Sequence, residues 1–152
     1  MAPGAHRRYF AYGANIIAAD MARRCPAARE IGTAVLSGWR FVVGRRGYAT
    51  IVPEPKAHVV GVVWSLTPAC ERPLDEFEEI NRGLFRRESI VVAGEPALVY
   101  LAGDAADGHP RRGYLEPIVA AAKARGFPAD YIEEMRGWLT RASGSPPSVQ
   151  GL

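Results

Sequence analysis

Cysteine and histidine are scarce in this chain, with 2 and 3 residues out of 152. Cys25 and Cys70 stand far apart in sequence with no CxxC motif and no histidine nearby, which argues against a disulfide framework or a zinc site and for two reduced packing residues. His6, His58 and His109 are scattered without metal-ligand spacing. No stretch approaches the ~20 consecutive apolar residues that cross a bilayer, and the first residues lack the apolar block of a secretory signal. The expectation is a soluble, cytoplasmic protein with no membrane partner. Internal repeats are absent as well.

Charge of one sign is not concentrated either. The net charge is +3, and arginine pairs occur at Arg7-Arg8, Arg23-Arg24, Arg45-Arg46, Arg86-Arg87 and Arg111-Arg112. A nucleic-acid binder gathers its basic residues with exposed aromatics on one surface, whereas these pairs alternate with acidic stretches. They read as solvated surface, and nucleic acid is not an expected partner. An arginine that draws an anionic substrate towards a pocket is compatible with the same pattern.

With 48% hydrophobic residues, the chain is long enough for one well-buried core and short for two. A single domain is expected over residues 1–142, followed by a Ser/Gly/Pro-rich tail over 143–152 that is expected to be disordered. Strands are expected over 9–12, 31–43, 48–52, 58–66, 88–92 and 97–101, with turns at 44–47 and 93–96. Helices are expected over 16–24, where Ile17, Met21 and Cys25 share a face, Asn15 could cap and Pro26 ends it, and over 114–125 and 129–139. The acidic segment 68–80 is helical in composition, and Pro73 is read as the start of the helix proper. Strands, an acidic helix, strands and then helices make an α+β domain, not a βαβ succession, so the glycine turn near the N-terminus is not a dinucleotide fingerprint.

That turn is the most informative stretch. Tyr9-Phe10-Ala11-Tyr12 is an apolar strand that runs directly into Gly13-Ala14-Asn15. Gly13 and Asn15 tolerate positive φ, so successive backbone N–H groups could face one concavity suited to a carboxylate or an oxyanion. A following helix would add its N-terminal partial charge. Alone, a Gly turn after a strand is most often just a turn.

A second segment, Leu74-Asp75-Glu76-Phe77-Glu78-Glu79, follows the apolar strand Gly61-Val62-Val63-Trp64. On a helical wheel Leu74 and Phe77 define the inward face, Glu78 lies near Leu74, and Asp75 and Glu79 turn outward. Glu78 leads Glu76 by a small margin on geometry, since Ile80 would pull the apolar face the other way.

Together the two segments resemble the γ-glutamylcyclotransferase-like family, which includes the AIG2-like proteins and γ-glutamylamine cyclotransferase relatives. Tyr12-Gly13-Ala14-Asn15 is similar to the family's Tyr-Gly-Ser-Asn loop, with Ala14 in place of Ser, and Leu74 to Glu78 to its Leu-Asp-x-x-Glu segment. Further matches are Gly47 to Ile51, Gly83-Leu84-Phe85, Tyr114 and Gly126-Phe127-Pro128, so the likeness spans most of residues 9–139. The resemblance implies a small mixed β-barrel with helices outside and a pocket at one mouth. It implies substrate contacts at Tyr12, Gly13, Ala14, Asn15, Phe85 and Tyr114, and Glu78 as general acid/base. Phe85 stands where members often carry Tyr, and Tyr114 is equally well read as a core tyrosine.

The reaction implied is closure of a γ-glutamyl group to 5-oxoproline with release of the free amine. The substrate's own α-amine attacks its γ-carbonyl, so no covalent nucleophile, metal or cofactor is required. The leaving amine and the oligomeric state stay open. Two other readings stand beside this one: a pathway-specific enzyme that removes a γ-glutamyl protecting group, and a non-catalytic γ-glutamyl-binding or regulatory module.

Overall fold

A computed structural model describes residues 6–78 and 83–144. The expectations for Glu79, Ile80 and most of the tail therefore lie outside the described residues. Five strands, β1 (Arg7–Ala11), β2 (Arg29–Val43), β3 (Ala49–Leu66), β4 (Phe85–Val92) and β5 (Glu95–Ala102), form one sheet in the order β2-β3-β1-β5-β4. Among the described residues, four helices, α1 (Ala18–Arg24), α2 (Pro68–Phe77), α3 (Leu115–Ala124) and α4 (Ala129–Gly144), complete the α+β fold that the sequence predicts. Helix α4 extends two residues into the expected tail. The hydrogen-bonded ladder does not close among the described residues, but the sheet curls until its edge strands β2 and β4 approach one another.

β1 is the hinge of the design. It runs antiparallel to β3 and parallel to β5, so β1 and β5 deliver their C-terminal ends to the same side of the sheet. Phe10, Val62, Val63 and Val99 are buried, since helices or neighbouring strands cover the sheet on both sides and apolar runs need not alternate with polar ones. Gly61 permits the closest approach: a Cβ there would stand 2.3 Å from the Ala11 carbonyl oxygen and 2.7 Å from the Phe10 ring.

Two strand expectations are corrected by the ladder. Segments 48–52 and 58–66 belong to one strand, β3, which pairs with β2 on both sides of a register jump from Ser37↔His58 to Trp39↔Pro53. Pro53 and Pro55 lack an N–H to donate, so residues 54–57 stand out opposite the single Gly38. The β4–β5 hairpin has Ala93 at φ 52° and Gly94 at φ 85°. Two consecutive left-handed residues make the tight turn that matches strand twist.

The helix expectations need two corrections. α2 starts at Pro68 and carries Pro73 inside it. Proline suits the first helical turn, and the lost Pro73 N–H bond is offset by burial of Cys70 and Leu74 on the inward face. Asn15 does not cap α1: a 3₁₀ turn over Ala14–Ile16 intervenes, and Ile17 holds the capping position without a side-chain bond.

Cys25 and Cys70, distant in sequence, meet where α1 ends and α2 begins. The Cys25 thiol donates to the Cys70 carbonyl at 3.3 Å. Both cysteines are buried and free, and burial, followed by the neighbouring Cys70, pushes the Cys25 thiol up to about 12.

Candidate active site

A cavity of about 470 Å³ opens where β1 and β5 end, lined by the 3₁₀ turn, α1, the end of α2, the β2–β3 turn and the residues before α3. Its wall includes all seven residues that the sequence singles out: Tyr12, Gly13, Ala14, Asn15, Glu78, Phe85 and Tyr114.

Backbone geometry at the turn differs from the expected nest. Neither Gly13 nor Asn15 has positive φ, and Gly13 lies at φ −120°, ψ −127°. A Cβ at Gly13 would make ordinary contact, at 3.4 Å, with both the Ala49 Cβ and the Tyr114 Oη. The N–H groups become available through the 3₁₀ turn. Its hydrogen bonds run from Ile16 N to Gly13 O (3.0 Å) and from Ile17 N to Ala14 O (3.1 Å), leaving the Ala14 and Asn15 N–H groups without acceptors inside the turn. The next two carbonyls are also held. Trp64 Nε1 donates to Asn15 O at 3.0 Å, and Arg125 Nε donates to Ile16 O at 2.8 Å. With its carbonyls anchored, the turn presents its donors in a fixed orientation.

The Asn15 side chain is buried and serves the pocket wall. Its Nδ2 donates to Tyr9 Oη at 3.0 Å, and its Oδ1 accepts from Arg24 Nη1 at 2.5 Å. The Arg24 guanidinium lies 3.6 Å from the centroid of the Phe77 ring, a cation-π contact. Phe77, expected to face inward, is instead 40% exposed at the cavity edge. Asp75, expected to turn outward, is partly buried and accepts hydrogen bonds from Tyr100 Oη (2.6 Å) and Arg87 Nη1 (2.9 Å). The wheel runs out near the helix end, where β4 and β5 supply partners that periodicity on α2 does not encode.

Glu78 occupies the C-cap of α2, its N–H bonded to Leu74 O at 2.9 Å. Four tyrosines, Tyr9, Tyr12, Tyr100 and Tyr114, lie within its electrostatic reach. Burial, opposed by the nearby charge of Arg24, raises the Glu78 carboxyl from the ordinary 4.5 to about 8. Burial is also the leading reason that all four phenols lie above their usual value, so they remain neutral hydroxyls near physiological pH. All four hydroxyls are oriented: Tyr9 accepts from Asn15 Nδ2, Tyr12 donates to the Tyr100 carbonyl, Tyr100 to Asp75, and Tyr114 accepts from Ala49 N–H at 3.0 Å. A carboxyl titrating near neutrality beside preset N–H donors can take and return a proton while an anionic oxygen is held.

Sequence reading alone did not single out Tyr9, Arg24, Arg46, Tyr48 and Tyr100, all on the cavity wall. A usable signal existed for Tyr9 and Tyr100, because a tyrosine in an apolar strand needs a partner for its hydroxyl. Arg24 carried none, as its pair with Arg23 looks like any solvated charge.

The AIG2-like family model matches residues 58–135, just over half of the chain. The human protein called gamma-glutamylcyclotransferase is 28% identical over 143 residues, covering 84% of this chain and 76% of the relative. The Bos taurus protein of that name is 25% identical over 142 residues, with the same coverage. A solved structure called gamma-glutamyl cyclotransferase superposes with a TM-score of 0.78 at 27% identity, covering 86% of each chain. A yeast cyclotransferase described as specific to glutathione shares the fold at 11% identity and a TM-score of 0.60.

Proposed function

The chain belongs to the AIG2-like family, and from that premise we propose that it is a γ-glutamylcyclotransferase that converts a γ-glutamyl amine or amino acid to 5-oxoproline and the free amine. The observation that carries this reading is Glu78, raised to about 8 on a cavity wall shared with the anchored Gly13–Asn15 turn. The turn's N–H groups hold the carboxylate of the substrate or the oxyanion that develops during attack. Glu78 takes a proton from the substrate's α-amine, whose nitrogen then bonds to the γ-carbonyl carbon. As the bond from that carbon to the leaving nitrogen breaks, Glu78 returns the proton to the departing amine. Proton and charge balance without a second reactant. Folding the substrate into the cavity places its two reacting groups side by side, which supplies much of the acceleration.

Ala14 and Phe85 retain the backbone and the ring, respectively, of the family's Ser and Tyr positions, so the departures bear on which substrate fits more than on the proton transfer. The single catalytic domain over residues 1–142 is part of this proposal. Incubating the purified protein with a panel of γ-glutamyl dipeptides and γ-glutamyl amines, with 5-oxoproline as the readout, tests it. Release from at least one class is expected. Binding of γ-glutamyl ligands without any 5-oxoproline would leave the binding-module reading in its place.

A further inference from the structure

Arg24 joins the two halves of the pocket. Through Nη1 it reaches Asn15 in the turn that follows β1, and its guanidinium carbon lies over the ring of Phe77, the residue directly before Glu78. Asn15 in turn holds Tyr9 Oη, so one guanidinium is connected to the turn, to a pocket phenol and to the end of α2. We infer that Arg24 is a positioning residue for the reaction, clamping the substrate-binding turn to the end of α2 so that Glu78 faces the turn's N–H groups. This rests on the cyclotransferase reading above and adds a residue and a role to it.

The chemistry of arginine fits the task. Its flat, delocalised cation stacks on an aromatic ring while its edge still donates in-plane hydrogen bonds, a combination that a lysine ammonium does not reproduce. The charge also acts on the carboxyl. Glu78 is faced by Tyr9 from β1, Tyr12 from the following turn, Tyr100 from β5 and Tyr114 ahead of α3. Asp20 and Arg24 of α1 and Arg46 of the β2–β3 turn share the cavity wall. The tyrosines are neutral, and Arg24 opposes the effect of burial on Glu78. Without it, the carboxyl would hold its proton to higher pH and serve less well as a base.

The test combines a titration that needs no turnover with steady-state kinetics. Carbon-13 NMR of the Glu78 carboxyl, its signal assigned by its loss in Glu78→Gln, gives the midpoint in wild type, Arg24→Met and Arg24→Lys. The midpoint is expected to rise by about one pH unit in Arg24→Met, as removal of a nearby opposite charge requires, and to stay near wild type in Arg24→Lys. With a γ-glutamyl substrate, both variants should show a raised KM and a lowered kcat, because neither keeps the stacked, hydrogen-bonded clamp. Arg24→Gln, neutral but still a donor for Asn15, replaces the methionine variant if that protein does not fold. An unchanged midpoint in a folded neutral variant, or wild-type kinetics in Arg24→Lys, overturns the inference. Absence of 5-oxoproline from the wild type refutes the cyclotransferase reading, and the titration still judges the link between Arg24 and Glu78.

Discussion

Asp75 and Glu78 sit three residues apart at the end of one acidic helix, yet their surroundings could hardly differ more. Asp75 is held by charge and hydrogen bonds: it meets Arg87 at 2.9 Å and the Tyr100 hydroxyl at 2.6 Å, while Glu71, one turn earlier, pairs with Arg87 and with Arg7 at 3.1 Å. Glu78 lies beyond that network among tyrosine rings, and burial carries it to about 8. Two carboxylates of equal intrinsic chemistry thus divide into one that staples α2 to β4 and β5 and one available for proton transfer. Environment, not residue type, makes that division.

The sharpest way to break the comparison is to remove the titrating proton from one carboxylate and not from its neighbours. Glu78→Gln keeps the shape and should lower turnover by about 10²- to 10⁴-fold, the usual cost of losing a general acid/base. Glu76→Gln is the control. Glu76 is exposed and pairs with Arg72 at 3.6 Å, so activity should stay within about twofold of wild type, since an exposed i,i+4 pair contributes little. Near-wild-type turnover in Glu78→Gln would move the proton transfer to another group.

Asp75→Asn tests the other half. It weakens a charge-assisted pair and disturbs the Tyr100 bond, so unfolding by urea should show a loss of about 1–3 kcal/mol. Turnover at a temperature where the variant is fully folded should fall much less than in Glu78→Gln. If Asp75→Asn abolished activity without loss of stability, the assignment of roles between the two carboxylates would be reversed.

A pH series sharpens the same contrast. A carboxyl raised from 4.5 in the unfolded chain to about 8 in the folded one binds its proton more tightly when folded. Its contribution to stability is therefore fully present below pH 4.5 and is lost as pH rises towards 8. Glu78→Gln removes that loss. Its melting temperature should exceed that of wild type at pH 8 to 9, with the gap closing as pH falls towards 4.5. A gap independent of pH would show that Glu78 does not titrate in this window.

Much of this was legible in the residues. Apolar strands punctuated by glycine and proline gave away the α+β class and the order of its elements, because burial periodicity and turn chemistry are local properties of the chain. The Tyr12–Asn15 turn and Glu78 stood out through the resemblance to the γ-glutamylcyclotransferase-like family, since a glycine turn alone is most often just a turn and periodicity put Glu78 only narrowly ahead of Glu76. Tertiary structure decided the rest. That Gly13 is not a positive-φ glycine, and that its site lies against Ala49 and Tyr114, 36 and 101 positions away in sequence, is set only in the folded chain. That Asp75 is a staple depends on Arg87 and Tyr100 arriving from other strands, and that Arg24 belongs to the site depends on Asn15 and Phe77 meeting it across α1 and α2. Periodicity reports which face of an element is buried. The partner waiting on that face, which sets whether a charge is paired, stacked or left to titrate, exists only once the chain has closed on itself.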